Sequence, residues 1–185
     1  MKADKSLYQN LLGNDWERLS KTVKRGFAGN GSRYGKGRFS FRRGQGVLSR
    51  FIGWLESLPD ETRGIDTEIL ITLYPGGEIW RRKFGAHIFV TEQRAIEGFL
   101  AERFGIIEFF FKLRVDEGAL VFDYDKTVLK LHFFDVTLPF FLSPRVKART
   151  WEEDWEGKIR LGMKVDVNST LTGLLWSFEG YMDMK

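Results

Sequence analysis

The spacing of apolar residues changes once along the chain, close to residue 65. Before this point apolar residues recur at intervals of three and four, which is typical of amphipathic helices. Beyond it apolar and polar residues alternate one by one, which is typical of strands with one buried face. The pattern therefore predicts a helical N-terminal third over residues 6–58 and an antiparallel sheet over residues 65–183.

Three helices are expected in the N-terminal third. Ser6 can cap a short first helix that ends at Gly13, because serine accepts hydrogen bonds from free amides and glycine tolerates the positive φ of a helix end. Asp15 is expected to cap a second helix that ends near Gly26. A third, amphipathic helix is predicted over residues 47–57, with its apolar face formed by Val47, Leu48, Phe51, Ile52 and Leu55.

The period-two region predicts roughly eight to ten strands separated by turn signals. Its inward face is expected to include Phe109, Phe111, Leu113, Met163, Val165 and Trp176. Its outward face is expected to include Glu108, Lys112, Arg160 and Lys164. Residues 91–105 fit either a helix or two strands that turn at Glu97-Gly98. Strands are favoured because the neighbouring segments are strands.

A sheet with one apolar face must bury that face by closing on itself or by packing on helices. The run of consecutive hairpins therefore predicts one α+β domain over residues 1–185 with a curved or closed antiparallel sheet. We expect a lipocalin-like barrel or half-barrel, with N-terminal helices and the helix at 47–57 packed against the sheet.

Composition limits the chemistry that the chain can perform. Its 185 residues, 43% of them hydrophobic, suffice for one core. Cysteine is absent, which excludes disulfides, thiolate metal sites and cysteine nucleophiles. With only His87 and His132, a histidine metal centre is not expected, and no cofactor is predicted. The first residues lack the apolar core of a signal peptide, so a cytoplasmic location is expected.

Basic residues concentrate between residues 21 and 50, and no acid falls between Glu17 and Glu56. Such a stretch can contact nucleic acid, anionic lipid or an acidic partner, or it can be a solvated face. Within it, residues 26–37 (GFAGNGSRYGKG) match neither phosphate-loop nor dinucleotide-binding spacing, so a flexible connection is predicted. Nucleic-acid binding is expected to be weak, because no readout motif accompanies the charge. The candidate basic patch comprises Arg33, Lys36, Arg38, Arg42 and Arg43.

One strand places a charge on its apolar face. Alternation puts Trp80, Arg82 and Phe84 on the inner side of the sheet. A buried guanidinium needs a carboxylate or a ligand anion, and Glu102 or Glu108 could supply the carboxylate, with Glu102 favoured. Two interpretations stay open: an Arg–Glu pair that braces the sheet, or an arginine that holds the acidic end of a ligand in an apolar cavity.

Several short motifs resemble those of DUF4166, a bacterial family of domains of unknown function best known from the part that follows a saccharopine-dehydrogenase-like reductase domain. The resemblance implies no known reaction, but it suggests that Trp80, Arg82, Phe84 and Glu102 form one unit. A histidine expected at the end of the second helix is missing, and Phe27 and Ala28 stand there. The motifs are Tyr8-x-x-Leu11-Leu12-Gly13 with Trp16 and Leu19, Gly37-x-Phe39, Arg43-Gly44, Trp80-x-Arg82-x-Phe84-Gly85, Glu102-x-x-Gly105, Leu138-Pro139, Pro144-Arg145 and Gly180-Tyr181.

These observations favour a non-catalytic function. The predicted function is binding of a hydrophobic or amphipathic small molecule in a cavity of the sheet, or service as an accessory domain to an enzyme or membrane partner. The predicted ligand-binding residues are Trp80, Arg82, Phe84 and Glu102. The expected partners are a hydrophobic or anionic small molecule and a reductase or membrane partner domain. The alternatives are an enzyme acting on a lipid-like or acyl substrate, and a nucleic-acid-binding or structural interaction module using residues 21–50.

Overall fold

The computed structural model describes residues 5–29, 31–44 and 61–185. These residues form one sheet of eleven strands, and three short helical segments precede it. The helical segments are α1 (Leu7–Leu12), a 3₁₀ helix (Gly13–Arg18) and α2 (Lys21–Phe27). The strands are β1 (Arg33–Arg43), β2 (Thr62–Tyr74), β3 (Gly77–Phe84), β4 (His87–Ile96), β5 (Phe99–Phe104), β6 (Ile107–Asp116), β7 (Ala119–Lys130), β8 (Asp135–Thr137), β9 (Arg145–Trp155), β10 (Lys158–Ser169) and β11 (Gly173–Met184).

The sheet closes into a barrel. Strands β1 to β6 pair in chain order, β1 also pairs with β11, and the sheet continues through β10, β9 and β7. Because β7 also pairs with β6, ten strands form a closed antiparallel ring, and the short β8 extends the second half of β7. The predicted lipocalin-like barrel is therefore confirmed. The helix predicted over residues 47–57 lies outside the described residues.

Strand β1 corrects two expectations from the sequence. The second half of the glycine-rich stretch is strand and not a flexible connection, so α2 ends at Phe27 and a strand interrupts the predicted helical third. Two glycines allow the first and last strands to lie close together along their shared seam. A Cβ on Gly37 would lie 1.8 Å from the backbone oxygen of Tyr181, and a Cβ on Gly180 would lie 2.1 Å from the backbone oxygen of Arg38. A side chain at either position would therefore force the two strands apart.

The first helix begins and ends as predicted. Ser6 and Gln9 form a reciprocal capping box, and Gly13 ends the helix with a φ of 54°. The second helix begins at a different cap. Residues 13–18 form the 3₁₀ helix, and the Ser20 side chain, not Asp15, accepts a hydrogen bond from Val23 at 3.4 Å.

The period-two register is confirmed for most of these residues. Phe111 and Met163 are buried and Lys112 is exposed, while Phe109, Val165 and Trp176 are half-buried beside a cavity. Leu113 is also half-buried, and Arg160 and Lys164 are half-buried where exposure was expected. The ambiguous residues 91–105 are the strands β4 and β5, which turn at Glu97-Gly98 as favoured. Glu108 was expected on the outer, solvated face but is fully buried, because Arg94 and Lys130 cover it with ion pairs of 2.6 and 3.3 Å.

The two ends of the barrel differ. At the helical end, named here for the helices that lie across it, the β2–β3, β4–β5, β6–β7 and β9–β10 hairpins turn. The amide of Ser20 donates to the carbonyl of Gly118 in the β6–β7 turn at 2.9 Å, and Tyr8 and Phe27 reach into the barrel. The far end carries the turns at 85–86, 105–106 and 170–172 and the segment 131–144. No helix in the described part of the chain is long and apolar enough to cross a membrane.

Candidate functional site

The barrel contains a cavity with a volume of about 80 Å³ that is partly open to solvent. Aromatic side chains dominate its wall, so an apolar molecule that enters it loses contact with water. Prominent among them are Phe89, Phe104, Phe109, Phe111, Trp80 and Trp176.

Within the described part of the chain, the cavity is less covered at the far end of the barrel than at the helical end. Tyr8 and Phe27, which line it at the helical end, are 0% and 1% exposed. Phe89, Phe104 and Trp176, which line it near the far end, are only half-buried. A small molecule would therefore enter past these three aromatic rings, because the helices cover the other end.

A polar group lies in the wall of this apolar cavity. Arg82 donates from Nη1 to Thr91 Oγ1 at 2.7 Å and from Nη2 to Glu102 Oε1 at 3.1 Å. The Thr91 hydroxyl donates in turn to Glu102 Oε1 at 2.7 Å. The predicted Arg82–Glu102 ion pair is therefore confirmed, and its two charges neutralise each other inside the barrel.

Two aromatic rings position the guanidinium. Arg82 Cζ lies 4.8 Å from the centre of the Trp80 ring and 5.8 Å from that of Phe89, so cation–π attraction supplements the ion pair. Of the four predicted ligand-binding residues, Trp80, Arg82 and Glu102 line the cavity. Phe84 instead packs in the aromatic core, 4.7 Å from Phe41 between ring centres.

Some hydrogen-bonding capacity at this group is unused. The Nε of Arg82 is buried without a hydrogen-bond partner. The hydrogen bonds of Glu102 described above all use Oε1, and its side chain keeps 18% of its surface exposed. A ligand in the cavity could therefore still bond to the second oxygen of Glu102.

A second polar pair lies deeper, towards the helical end. The Tyr8 hydroxyl donates to Gln93 Oε1 at 2.5 Å, and both side chains line the cavity. Burial, followed by the nearby carboxylates of Glu78 and Glu102, raises the pKa of Tyr8 well above its ordinary value. Tyr8 therefore stays protonated, and its hydroxyl acts as a hydrogen-bond donor.

Thr91, Gln93 and Tyr8 were not predicted as site residues. For the two β4 residues a signal existed, since Thr91 and Gln93 alternate in phase and Thr91 lies directly opposite Trp80 in the sheet. The strand assignment favoured for residues 91–105 already places both side chains on one face. Tyr8 lies on a helix distant in the chain, so periodicity carries no signal for its contact with Gln93.

Arg33 belongs to the interior and not to a surface patch. Its Nη2 lies 2.6 Å from Glu78 Oε2, and its Nη1 donates to the carbonyls of Gly26 and Ala28. Burial raises the pKa of Glu78, although Arg33 opposes the shift. The pair joins the start of β1 to β3 and to the end of α2.

Of the other residues of the basic patch, Lys36, Arg38 and Arg42 lie along the outer face of β1, whereas Arg43 alternates in phase with the buried Phe41. Lys36 pairs with Glu68 at 3.1 Å, and Arg38 pairs with Asp66 at 3.0 Å, both across the β1–β2 ladder. Arg42 is exposed and Arg43 is half-buried. The acids of β2 therefore balance part of the charge that the sequence concentrates in this stretch.

The arrangement is suited to holding a molecule in one orientation. Within the described residues no group of three or more His, Asp or Glu side chains could hold a metal ion. The polar side chains that line the cavity belong to an ion pair, two threonines (Thr91 and Thr150), a glutamine and a protonated tyrosine. These groups can donate and accept hydrogen bonds.

Comparisons with known proteins identify a family but no characterised relative. The family model described as a domain of unknown function, DUF4166, matches residues 19–182. No curated protein and no solved structure matches this chain.

Proposed function

We propose that this chain, which belongs to the domain-of-unknown-function family DUF4166, binds a small amphipathic molecule inside its barrel without transforming it. The observation that carries the proposal is the aromatic cavity, less covered at the far end, with the Arg82–Glu102 pair in its wall. Apolar pockets with a few placed polar groups are the usual form of small-molecule sites.

The paired charges favour a ligand with an uncharged head. Glu102 already neutralises Arg82, so a ligand carboxylate would lie beside a second carboxylate in an apolar site. Bringing two like charges together there is costly. A hydroxyl or amide head can instead donate to Glu102 while the apolar body contacts the aromatic wall. We therefore favour a long-chain alcohol or amide over a fatty acid.

Tryptophan fluorescence can test this proposal, because Trp80 and Trp176 both line the cavity. The protein would be titrated with decanol, decanoate and decylamine in parallel. We expect saturable quenching or a spectral shift with decanol at the lowest concentration. Mass spectrometry of the recovered alcohol should show it chemically unchanged, since the proposal involves no reaction.

A cavity-filling variant provides the matched comparison. Ala148 lines the cavity, whereas its neighbour Arg149 points outward and is exposed. Ala148→Phe should abolish the decanol signal, and Arg149→Phe should retain it while both proteins stay folded by circular dichroism. Equal binding by the two variants would place the ligand elsewhere, and tighter binding of decanoate would restore the interpretation of Arg82 as an anchor for acids.

A further inference from the structure

The six most exposed apolar side chains of the far end lie in three separate loops. They are Ile106 in the β5–β6 turn, Leu171 in the β10–β11 turn, and Phe133, Phe134, Phe140 and Phe141 in the segment 131–144. Their exposed fractions lie between 55% and 89%. We call these six residues the far-end tips.

Contacts between the loops hold several tips together. Arg145 Nη2 donates to Thr170 Oγ1 at 2.7 Å, beside Leu171, and its guanidinium lies 4.1 Å from the centre of the Phe140 ring. The amide of Leu131 donates to the carbonyl of Phe134 at 3.1 Å, which closes the turn that carries Phe133. The tips are therefore fixed by the fold at one end of the barrel.

The helical end presents the opposite chemistry. Three of its hairpins turn on Glu-Gly, at Glu97, Glu117 and Glu156, each with a positive φ near 50°. Acidic side chains in tight turns keep this end hydrated. The barrel is therefore polarised along its axis, with carboxylates at one end and aromatic tips at the other.

Basic residues surround the far-end tips. Among the described loops and strand ends there, the acidic side chains include Glu61, Asp135, Asp166 opposite Lys147, and the buried Glu108 opposite Arg103. The basic ones include Arg42, Arg63, Arg103, Lys130, Arg145 and Lys147. The basic side chains outnumber these acidic ones, so an anionic surface would meet net attraction at this end.

We propose that the far end docks on an anionic lipid bilayer, with the far-end tips in the interfacial region and the surrounding basic residues on the lipid headgroups. Aromatic side chains favour the membrane interface, and basic residues near the surface add attraction to anionic lipid. Tips on separate loops can each enter a soft interface, whereas a protein partner would need one continuous complementary face.

Docking in this orientation directs the cavity at the membrane, because the cavity is less covered at the same end, where Phe89, Phe104 and Trp176 line it. A ligand could then pass between bilayer and barrel without crossing water. This passage rests on the proposed function. The bilayer contact itself rests only on the far-end tips and their basic surroundings.

Vesicle sedimentation tests the contact. Wild-type protein should sediment with vesicles of equal parts phosphatidylcholine and phosphatidylglycerol, and much less with phosphatidylcholine alone. Phe133→Ser combined with Phe134→Ser should weaken binding at least about tenfold, since two phenylalanines lose their apolar burial. Lys147→Gln should weaken it about fivefold on the anionic vesicles only.

Ile159→Ser is the matched control. Ile159 is an exposed apolar residue like the tips, 48% accessible, but it lies near the helical end. Its binding should equal that of the wild type, and all variants should keep the wild-type melting temperature. Failure of the wild type to bind anionic vesicles, or an equal loss with Ile159→Ser, would overturn the proposal. A concentration-dependent dimer that Phe133→Ser with Phe134→Ser dissociates, without vesicle binding, would overturn it in favour of a second copy as occupant.

The two proposals can fail separately. Decanol binding is measured by tryptophan fluorescence without vesicles, and vesicle binding is measured without added alcohol. Vesicle binding without decanol binding would remove the proposed function and leave the docking surface. Decanol binding without vesicle binding would leave the cavity function and remove the docking surface.

Discussion

The Arg82–Glu102 pair shows how one buried residue constrains its neighbours. Arg82 is only 7% exposed, so its charge has lost most of its hydration. Glu102, Thr91 and the Trp80 ring replace that hydration with one ion pair, one hydrogen bond and a cation–π contact. Removing one partner leaves the other charge uncompensated, whereas removing both charges together restores an apolar wall.

The first prediction concerns this coupling. Glu102→Gln should lower the free energy of unfolding by about 3 kcal/mol, because it strands the buried guanidinium. Combining it with Arg82→Met should cost less than the sum of the two single changes. Urea denaturation measures the free energy of unfolding of the two single variants and the double variant. Arg81→Met, on the exposed face of the same strand, is the control and should stay within about 0.5 kcal/mol of the wild type. Strictly additive losses would show that the pair is not coupled.

The second prediction concerns Glu78, whose pKa burial raises above its ordinary value of 4.5. A carboxyl with a raised folded-state pKa stabilises the fold fully below its unfolded pKa, and this contribution is lost as pH rises through the folded pKa. Because Gln resembles the protonated acid, the stability difference should shift in favour of Glu78→Gln as the pH rises from the ordinary pKa of 4.5 towards neutrality. Urea titrations across this range check it. A shift in favour of the wild type would mean that Arg33, which lowers the pKa of Glu78, has a larger effect on that pKa than burial has.

At the scale of elements, the sequence predicts best where one face is continuously apolar. Strands β3, β6 and β10 follow from alternation, and Glu97-Gly98 marks the β4–β5 turn because positive φ at both residues suits a two-residue hairpin. The sequence of β1, RYGKGRFSFRR, lacks a continuous alternation of apolar and polar side chains, because glycines stand where β1 meets β11. Asp15 and Ser20 are equally good caps by composition, so the start of α2 depends on packing that the local sequence does not encode.

The candidate site was predictable in part for the same reason. Alternation placed Trp80 and Arg82 inside, and the need to compensate a buried charge identified Glu102. The contacts of Tyr8 with Gln93 and of Arg33 with Glu78 join segments far apart in the chain. Such contacts depend on how the helices lie across the barrel, which local periodicity cannot show.

The third prediction concerns the seam between β1 and β11. Gly37→Ala should destabilise the protein by about 3 kcal/mol, because its Cβ would overlap the Tyr181 backbone and part the strands. Gly31→Ala is the control, since a Cβ there meets no atom within 4 Å and its φ is ordinary. Thermal unfolding compares the two variants. Equal melting temperatures would mean that the seam tolerates a side chain.

At the scale of the whole molecule, the fold depends on closure of the sheet into a barrel. Most strands pair with the next strand along the chain, but the barrel closes only when β1 meets β11. Backbone hydrogen bonds between Tyr34 and Lys185, 2.8 Å long from the Lys185 amide, extend this seam to the C-terminal residue. Without β11, both β1 and β10 would expose unpaired edges and the aromatic interior would be open to water.

The fourth prediction follows from this closure. Deleting residues 170–185, which removes β11, should abolish cooperative unfolding, because the remaining sheet cannot bury its inner face. Inserting Gly-Ser between His132 and Phe133, in an exposed segment, should leave cooperativity intact. Circular dichroism during urea titration compares the cooperativity of unfolding of the truncated protein and the insertion variant. A sharp transition in the truncated protein would show that an open sheet is stable on its own.

The seam between β1 and β11 is expected to form late during folding. The β6–β7 hairpin joins adjacent residues across a two-residue turn, whereas the seam joins residues from opposite ends of the chain and must pay a large loop-closure entropy. Amides of β6 and β7 should therefore gain protection in pulsed hydrogen exchange before those of β1, and simultaneous protection would refute this order. Until the last pairing forms, β1 and β11 offer free edges to neighbouring chains. At Gly37 and Gly180 these nascent edges carry no side chain that a wrong partner could contact.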